Sequence, residues 1–264
     1  MILLLDIGNT HTHLGLAQGR RLLRSLDVPT AGWFDGSAAR ATARFAAGPP
    51  LEGAAFCSVV PRATPRVRRA VLAAWRIEPL ELTHRTVRGL GLDYPRPASI
   101  GPDRLANAVA ARHRFGAPVI VLDFGTAVTL DVVNASGDYI GGIIGPGLAA
   151  LTDYLHEKTA LLPRIRIREV RRAIGRSTAE AMRIGAMCGY RGLIRELLAG
   201  VRRELDCRRL PVVATGGYAR LMARGLPEIT AVAPGLTLEG VLHVWRAHCG
   251  DKATTPRPRS LPRR

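Results

Sequence analysis

The sequence predicts an α/β protein built from two related halves, and three observations carry that expectation. First, the stretch Leu5-Asp6-Ile7-Gly8-Asn9-Thr10-His11-Thr12 returns 117 positions later as Leu122-Asp123-Phe124-Gly125-Thr126-Ala127-Val128-Thr129. Second, each copy follows an apolar run (ILLL, then VIVL) with the character of a buried strand, and each leads into a second alternating segment. Third, strand-like and helix-like segments alternate along the chain, the pattern of α/β layers. Taken without a gap, Asp6 answers Asp123, Gly8 answers Gly125, Asn9 answers Thr126 and Thr12 answers Thr129. A duplicated acidic turn suggests two halves facing each other across a cleft, an arrangement suited to a polyphosphate and its metal.

The elements follow in order. Strands are expected over 1–7, 13–18 and 21–27, helices near 37–47 and 63–75, and a buried strand over 54–60. Residues 89–100 read as a loop leading to Gly101-Pro102-Asp103-Arg104. After it, 105–113 is an Ala-rich helix with no internal Gly or Pro. A strand restarts at Val119 and turns back as a hairpin. Next comes Gly141-Gly142-Ile143-Ile144-Gly145-Pro146-Gly147, which reads equally as a hinge or as a subunit contact. Helices are expected near 148–158, 178–205 and 216–224. Between the first two, the alternation in Arg164-Ile165-Arg166-Ile167-Arg168 predicts a strand with one solvated face. A buried strand over 211–214 ends in Thr215-Gly216-Gly217, and 237–249 forms the last helix. The halves are placed at 1–116 and 117–250, followed by a basic tail, 251–264, whose Pro/Arg-rich end reads as disordered.

Composition narrows the function. A chain of 264 residues and 28.4 kDa, 47% hydrophobic, buries one large core or two modest ones. It has no apolar run of membrane-spanning length. The start MILLLDIGNT lacks a basic region and a cleavage site, so it reads as a strand and not as a signal peptide. Cys57, Cys188, Cys207 and Cys249 are scattered without paired spacing, which suits free thiols in a reducing cytoplasm. The net charge of +17 raises nucleic-acid binding. That reading is discounted: Lys158 and Lys252 are the only lysines, so an Arg-for-Lys bias explains much of the excess, and stacking aromatics are few.

The turns carry the chemistry. Gly lets the backbone come close to a phosphate chain, and successive N–H groups in such a turn form an anion nest. Asn9, Thr10, Thr12, Thr126 and Thr129 add side-chain donors. A carboxylate beside phosphate needs a cation between them, so Asp6 and Asp123 imply a hard ion such as Mg²⁺. The plain alternative is that Asp-x-Gly merely closes a hairpin. His11 and His13, two apart on a strand, are read as neighbours of the phosphate loop and not as a metal pair.

At this point the residues resemble a known family, the type III pantothenate kinases, within the superfamily of sugar kinases, heat-shock ATPases and actin. The resemblance spans roughly 1–247. It rests on Asp6-Ile7-Gly8-Asn9-Thr10, on Tyr94 followed by Gly101-Pro102-Asp103-Arg104, on 123–129 and 141–147, on Ile174-Gly175-Arg176-Ser177-Thr178, on Thr215-Gly216-Gly217 and on 234–240. It implies two ribonuclease H-like, actin-like ATPase halves with a cleft between them. It also implies ATP-dependent phosphorylation of pantothenate to 4′-phosphopantothenate, the first step toward coenzyme A, in a cytoplasmic homodimer. Asp6, Ile7, Gly8, Asn9, Thr10, His11, Thr12 and His13 are then the first phosphate loop, and Thr126 touches the nucleotide phosphates. Asp6 serves Mg²⁺ through phosphate, and Asp123 binds a monovalent cation, K⁺ or NH₄⁺. Tyr94, Gly101, Pro102, Asp103, Arg104 and Thr178 line the pantothenate pocket, with Asp103 as general base. Pro102 departs from the family's usual β-branched residue, a restriction that Gly101 tolerates. The basic tail lies outside the resemblance.

The residues by themselves leave alternatives. Asp103 is a proton acceptor for an alcohol or a helix cap. Arg104 is a fork for a carboxylate or a solvated surface residue. Tyr94 packs on substrate or fills a loop, and Thr178 meets substrate or starts a helix behind Ser177. Thr215-Gly216-Gly217 lets a nucleotide approach the backbone or is a plain tight turn. A sister kinase for another small molecule, and a regulatory or nucleic-acid-associated protein on the same fold, are the competing functions.

Overall fold

The structure, a computed structural model, describes residues 1–207 and 210–250, so the basic tail lies outside the described residues. The chain forms two compact units. One is Met1–Gly89 together with the chain from Val241, and the other is Leu90–Gly240.

The first unit is a five-stranded sheet covered by helices. Its strands are β1 (Ile2–Ile7), β2 (His11–Gln18), β3 (Arg21–Pro29), β4 (Gly53–Ser58) and β5 (Leu80–Glu81), ordered β3-β2-β1-β4-β5. β1 runs antiparallel to β2 and parallel to β4. Helices α1 (Gly32–Asp35), α2 (Ser37–Phe45) and α3 (Thr64–Trp75) supply the covering layer. Leu3, Leu5, Ile7, Phe56, Val67 and Val71 form its core. The apolar run of β1 explains its central place, because a strand flanked on both sides and covered on both faces has no solvated side to alternate with.

The second unit repeats the plan. It has β6 (Gly91–Leu92), α4 (Pro102–Phe115), β7 (Val119–Phe124), β8 (Ala127–Val133), β9 (Asp138–Pro146), α5 (Leu148–Lys158), α6 (Thr178–Ile184), α7 (Tyr190–Glu204), β10 (Val212–Thr215), α8 (Ala219–Ala223), β11 (Ala231–Val232) and α9 (Leu236–Cys249), the last of which continues into the first unit. Its sheet runs β11-β10-β7-β8-β9-β6. With β6 set aside, that is the first sheet's order again. The directions also agree: β7 is antiparallel to β8, β8 antiparallel to β9, and β7 parallel to β10. β1 and β7 even share one burial pattern, with the carboxylate at the fifth position of each. The duplicated α/β architecture expected from the repeat is therefore present.

Several local expectations change. The repeat restarts after residue 116, but compactness divides the chain near Gly89. The two boundaries measure different things, because α4 precedes the restart yet packs against β7 and β8. Residues 164–168 form no strand. Arg164, Arg166 and Arg168 are exposed while Ile165 and Ile167 are half-buried, so the alternation is real, but no strand hydrogen-bonds alongside it. Ile167 packs on the second core. The helix expected over 178–205 is interrupted by a π-helical turn at Gly185–Gly189. The helix expected over 216–224 is only Ala219–Ala223, because Gly216 takes a left-handed φ of 87°. Residues 141–146 belong to β9 and are hydrogen-bonded to β8, so the Gly-rich run is a strand and not a free hinge.

α4 owes its start to Gly101 as N-cap and Pro102 at the first position, where a missing N–H costs nothing. Arg112, His113 and Arg114 in its last turn suit the negative end of its dipole. Leu105 through Ala111 are all buried, and the small alanines let this helix lie close to its neighbours. A Cβ on Gly240 of α9 would sit 1.9 Å from the Ala106 carbonyl oxygen. In the first unit, a Cβ on Gly53 of β4 would sit 2.4 Å from Trp245 Cζ2. Gly53→Ala is expected to cost about 1–3 kcal/mol through overpacking in chemical denaturation. Gly200→Ala in α7, where the nearest atom is a flexible Arg203 nitrogen at 3.9 Å, is expected to gain about 0.5–1 kcal/mol. Equal effects at the two sites would contradict this account.

Candidate active site

The turn after β1 is held by a directed chain of hydrogen bonds. The Thr30 hydroxyl donates to the Gly8 carbonyl at 2.7 Å, so its contact with Thr12 at 3.1 Å must be one in which Thr12 donates. Trp33 Nε1 in turn donates to the Thr12 hydroxyl at 3.0 Å. The Gly8 N–H donates to the His11 carbonyl at 3.0 Å, which closes the turn. Asn9, Thr10 and His11 stand exposed at its tip, while Ile7 is fully buried and offers only backbone. Asp6 is half-buried at the end of β1, and its Oδ1 accepts from Cys57 Sγ at 3.4 Å. His13 Nδ1 pairs with Asp27 Oδ1 at 2.7 Å.

The second turn is one residue shorter. Ile7 stands opposite Thr12 across the first hairpin, whereas Phe124 stands opposite Val128 across the second. The gapless pairing of Thr12 with Thr129 is therefore corrected: Thr12 corresponds to Val128, and His13 corresponds to Thr129. Since side chains alternate along a strand, one residue moves the hydroxyl to the other face. Thr12 accordingly lies in the core, and its hydroxyl is already engaged by Trp33 and Thr30. Thr126 is exposed at the tip of the second turn.

Asp123, at the end of β7, is oriented from α4. Asn107 Nδ2 donates to Asp123 Oδ2 at 3.0 Å, and the Thr237 hydroxyl donates to Asn107 Oδ1 at 2.9 Å. Asn107 and Thr237 are both buried. Gly216 follows β10 at the neighbouring strand end, and a Cβ there would lie 2.5 Å from Asp123 Oδ1. Next to it, Gly217 faces open space, as an approach to backbone requires.

The Gly101–Arg104 turn sits one helical turn before Asn107. Asp103 is the second residue of α4 and not its N-cap. Its Oδ1 accepts the Arg104 N–H at 2.8 Å, and burial raises its pKa above the ordinary Asp value against that hydrogen bond and the Arg104 charge. Arg104 is not a solvated surface side chain. Its Nε donates to Asp131 Oδ1 at 2.6 Å, its guanidinium lies over the Tyr139 ring at 5.8 Å, and its Nη2 is buried with no hydrogen-bond partner among the described residues. Burial opposes the Arg104 charge, but Asp131 and Tyr139 outweigh it, so the guanidinium is held protonated. Tyr94 meets Tyr139 edge-on, with ring centroids 6.0 Å apart. A Cβ on Gly142 would lie 2.6 Å from Arg104 Nη2, and one on Gly141 would lie 3.6 Å from the Tyr94 ring. The glycines of β9 make room for these two side chains.

Of the residues expected to form the pantothenate pocket, Gly101, Pro102, Asp103, Arg104 and Tyr94 gather here around Tyr139 and β9. Thr178 stands exposed at the first position of α6, behind Ser177, whose hydroxyl accepts the Glu180 N–H at 3.2 Å.

Sequence reasoning missed Asp131, which is fully buried. It accepts from Arg104 Nε, from the Tyr139 hydroxyl at 3.0 Å and, on Oδ2, from the Thr129 hydroxyl at 3.2 Å. Burial pushes its carboxyl up to about 7 against the pull of Arg104. A lone Asp inside Leu130-Asp131-Val132-Val133 was the available signal, since a charge in a buried strand needs a partner. Asn107 was missed for the same reason, as one amide among alanines.

A model of the family described as type III pantothenate kinase matches residues 2–200. The chain is 46% identical to a type III pantothenate kinase of Akkermansia muciniphila over 241 residues, which covers 90% of this chain and 96% of that one. It is 40% identical to one of Methylacidiphilum infernorum, covering 91% and 86%. Among solved structures, it resembles a Campylobacter jejuni protein described as a Baf family transcriptional activator, with a TM-score of 0.63 at 17% identity, covering 94% of this chain and 98% of that one. A 2-dehydro-3-deoxygalactonokinase-like protein of Sinorhizobium meliloti gives 0.58 at 14%, covering 94% and 99%. These two show the shared fold alone. Two repeated turns, an acid–arginine pair at the head of α4, and a family match over most of the length lead to one conclusion: the chain belongs to the type III pantothenate kinases.

Proposed function

We propose that this chain phosphorylates pantothenate from ATP with Asp103 as the general base. The observation that carries the reading is the head of α4, where a shielded carboxylate and an arginine with an unused, buried N–H edge stand at adjacent positions. An alcohol attacks phosphate slowly until its proton has an acceptor, and a positioned carboxylate supplies about 10²–10⁴-fold. Arg104 receives the substrate carboxylate with the nitrogens that Asp131 leaves over, and Tyr94 packs along the substrate chain.

The nucleotide phosphates are assigned to the two turns. Gly8, Asn9, Thr10 and His11 from the first, and Gly125 and Thr126 from the second, offer backbone and side-chain donors. In this reading Thr12 and His13 support the first turn from behind, because their side chains bond within the unit. Gly217 leaves backbone open to the nucleotide. Phosphoryl transfer depends mostly on positioning and charge neutralisation. When bound, Mg²⁺ neutralises the phosphate oxygens and a monovalent cation adds to that field. No group of three or more His, Cys, Asp or Glu side chains suited to a metal occurs among the described residues. The proposed ion is one held by a single carboxylate and by the phosphates. Asp6 is assigned to Mg²⁺ through phosphate, and Asp123, fixed by Asn107, to K⁺ or NH₄⁺.

A homodimer is part of the proposal. Ile144, Leu151, Tyr154, Leu155, Leu161, Ile174 and Leu193, all in the second unit, are exposed large hydrophobic residues. So much apolar surface in one unit suits a partner copy. No helix among the described residues is long and apolar enough to cross a membrane. A cytoplasmic place is proposed from the free thiols.

Asp103→Asn is expected to lower kcat by about 10²–10⁴-fold in a coupled ADP-release assay while leaving the denaturation midpoint in place. An active Asp103→Asn protein would remove the base assignment. Because the Asp103 pKa is raised, and the base works only when ionised, kcat/KM should fall as pH drops, with a midpoint above the ordinary Asp value. A profile flat down to pH 4 would argue against it. Sedimentation should give twice the 28.4 kDa of one chain, and Leu161→Glu with Ile174→Glu should shift it toward one.

A further inference from the structure

The two turns are seated alike and braced differently. β3 ends at Pro29, opposite His11, and β9 ends at Pro146, opposite Ala127. The residue after each proline donates its N–H to the tip of the turn: Thr30 to the Thr10 carbonyl at 3.0 Å, and Gly147 to the Thr126 carbonyl at 3.1 Å. In the first unit the side chain of that residue completes the brace. The Thr30 hydroxyl bonds to the Gly8 carbonyl, and Trp33 closes the relay through Thr12. In the second unit no side chain fits at that place. A Cβ on Gly147 would lie 2.2 Å from the Thr126 carbonyl oxygen and 2.6 Å from that of Gly125.

Tyr190 supplies a brace from another direction. It opens α7, is 2% exposed, and reaches both stems of the turn. Its ring packs against Phe124, the last residue of β7, with centroids 6.4 Å apart. Its hydroxyl donates to the Pro146 carbonyl at 3.1 Å, directly before Gly147. Burial pushes the hydroxyl pKa up to about 12, so it keeps its proton and donates throughout the neutral range. The π-helical turn at Gly185–Gly189 immediately precedes it. One extra residue rotates the helix that follows by about 100°, so an unbroken helix continuing α6 would point Tyr190 elsewhere. A Cβ at Gly185 or Gly189 meets nothing within 4 Å, so packing does not demand glycine at either end of this turn. Glycine there eases the departure from the α-helix.

We infer that Tyr190 is a positioning residue for ATP, bracing the Gly125–Thr126 turn through Phe124 and the Pro146 carbonyl. The inference rests on the assignment of nucleotide phosphates to the second turn under the proposed function. Tyr190 is buried and touches no substrate; it acts by holding backbone donors where phosphate needs them. Donors that are fixed before binding lose less freedom when the ligand arrives. The effect of the hydroxyl therefore belongs on ATP affinity and not on pantothenate affinity.

The test uses the full-length enzyme with ATP, pantothenate, Mg²⁺ and a non-hydrolysable ATP analogue. Tyr190→Phe keeps the ring against Phe124 and removes only the hydroxyl. The KM for ATP, and the Kd for the analogue by calorimetry, should rise about 3–10-fold, the size of one lost hydrogen bond. The kcat and the KM for pantothenate should stay within about 2-fold of the parent. Hydrogen exchange over residues 124–128 should quicken while that of β1 and β2 is unchanged, a pattern that a general loss of stability does not produce. Gly147→Ala, which presses directly on the turn, serves as the control and should weaken ATP binding further. Parent-like ATP affinity in Tyr190→Phe beside a weakened Gly147→Ala, or equal losses on ATP and pantothenate, would overturn the inference. Parent-like ATP affinity in both variants would remove the phosphates from the second turn, and with them that part of the proposed function and the inference built on it.

Discussion

The second unit depends on how α4 is fastened to its sheet. Small alanines bring the helix close, and two polar fastenings fix its rotation: Asn107 to Asp123 on β7, and Arg104 to Asp131 on β8. Positions 103, 104 and 107 lie within little more than one helical turn, so the two fastenings also determine where Asp103 points. A helix held by apolar contacts alone can slip or turn at small cost, because such contacts are not directional. Buried hydrogen bonds to carboxylates are directional, and misplacing them leaves charged groups unpaired. The proposed base and the proposed cation ligand are thus set by one rigid element.

The duplication shows which parts belong to the scaffold and which were added to it. Strand order, strand direction and the carboxylate at the end of the first strand recur in both units. Gly15 on β2 against Asp131 at the matching place on β8, and four loop residues against three, do not. The longer first turn places a hydroxyl behind the loop at Thr12. The shorter second turn places one beside Asp131 at Thr129. A single inserted residue changes what a strand presents because its faces alternate.

Much of this was legible in the chain. The buried strands announced themselves as unbroken apolar runs, and the paired Asp-x-Gly turns located the ends of β1 and β7. The helix α4 was found where Gly-Pro preceded an Ala-rich run free of internal Gly and Pro. The misses share physical causes. Residues 164–168 have a strand's alternation, yet a strand also needs a hydrogen-bonding neighbour, which alternation does not specify. Gly141 and Gly142 looked like freedom, but they are space for Tyr94 and Arg104, and space is decided by parts of the chain about 40 residues away. Asp131 and Asn107 were single polar letters in apolar text, and their partners are tertiary.

The turn after β1 and the head of α4 hold their site residues by different physics, in keeping with what each is proposed to hold. In the first, the loop is steadied by an uncharged relay from Trp33 through Thr12 and Thr30 to the Gly8 carbonyl. Every proton in it has one direction, so the backbone is stiffened without adding charge near a polyanion. In the second, the supports are a buried carboxylate and a guanidinium, which create a strong local field at a partly shielded place. A phosphate chain carries its own cation and needs donors in fixed positions. A small organic acid brings one charge and needs a cation held in place. Arg104, held by Asp131, is the cation proposed for it, and its Nη2 is enclosed without a partner among the described residues.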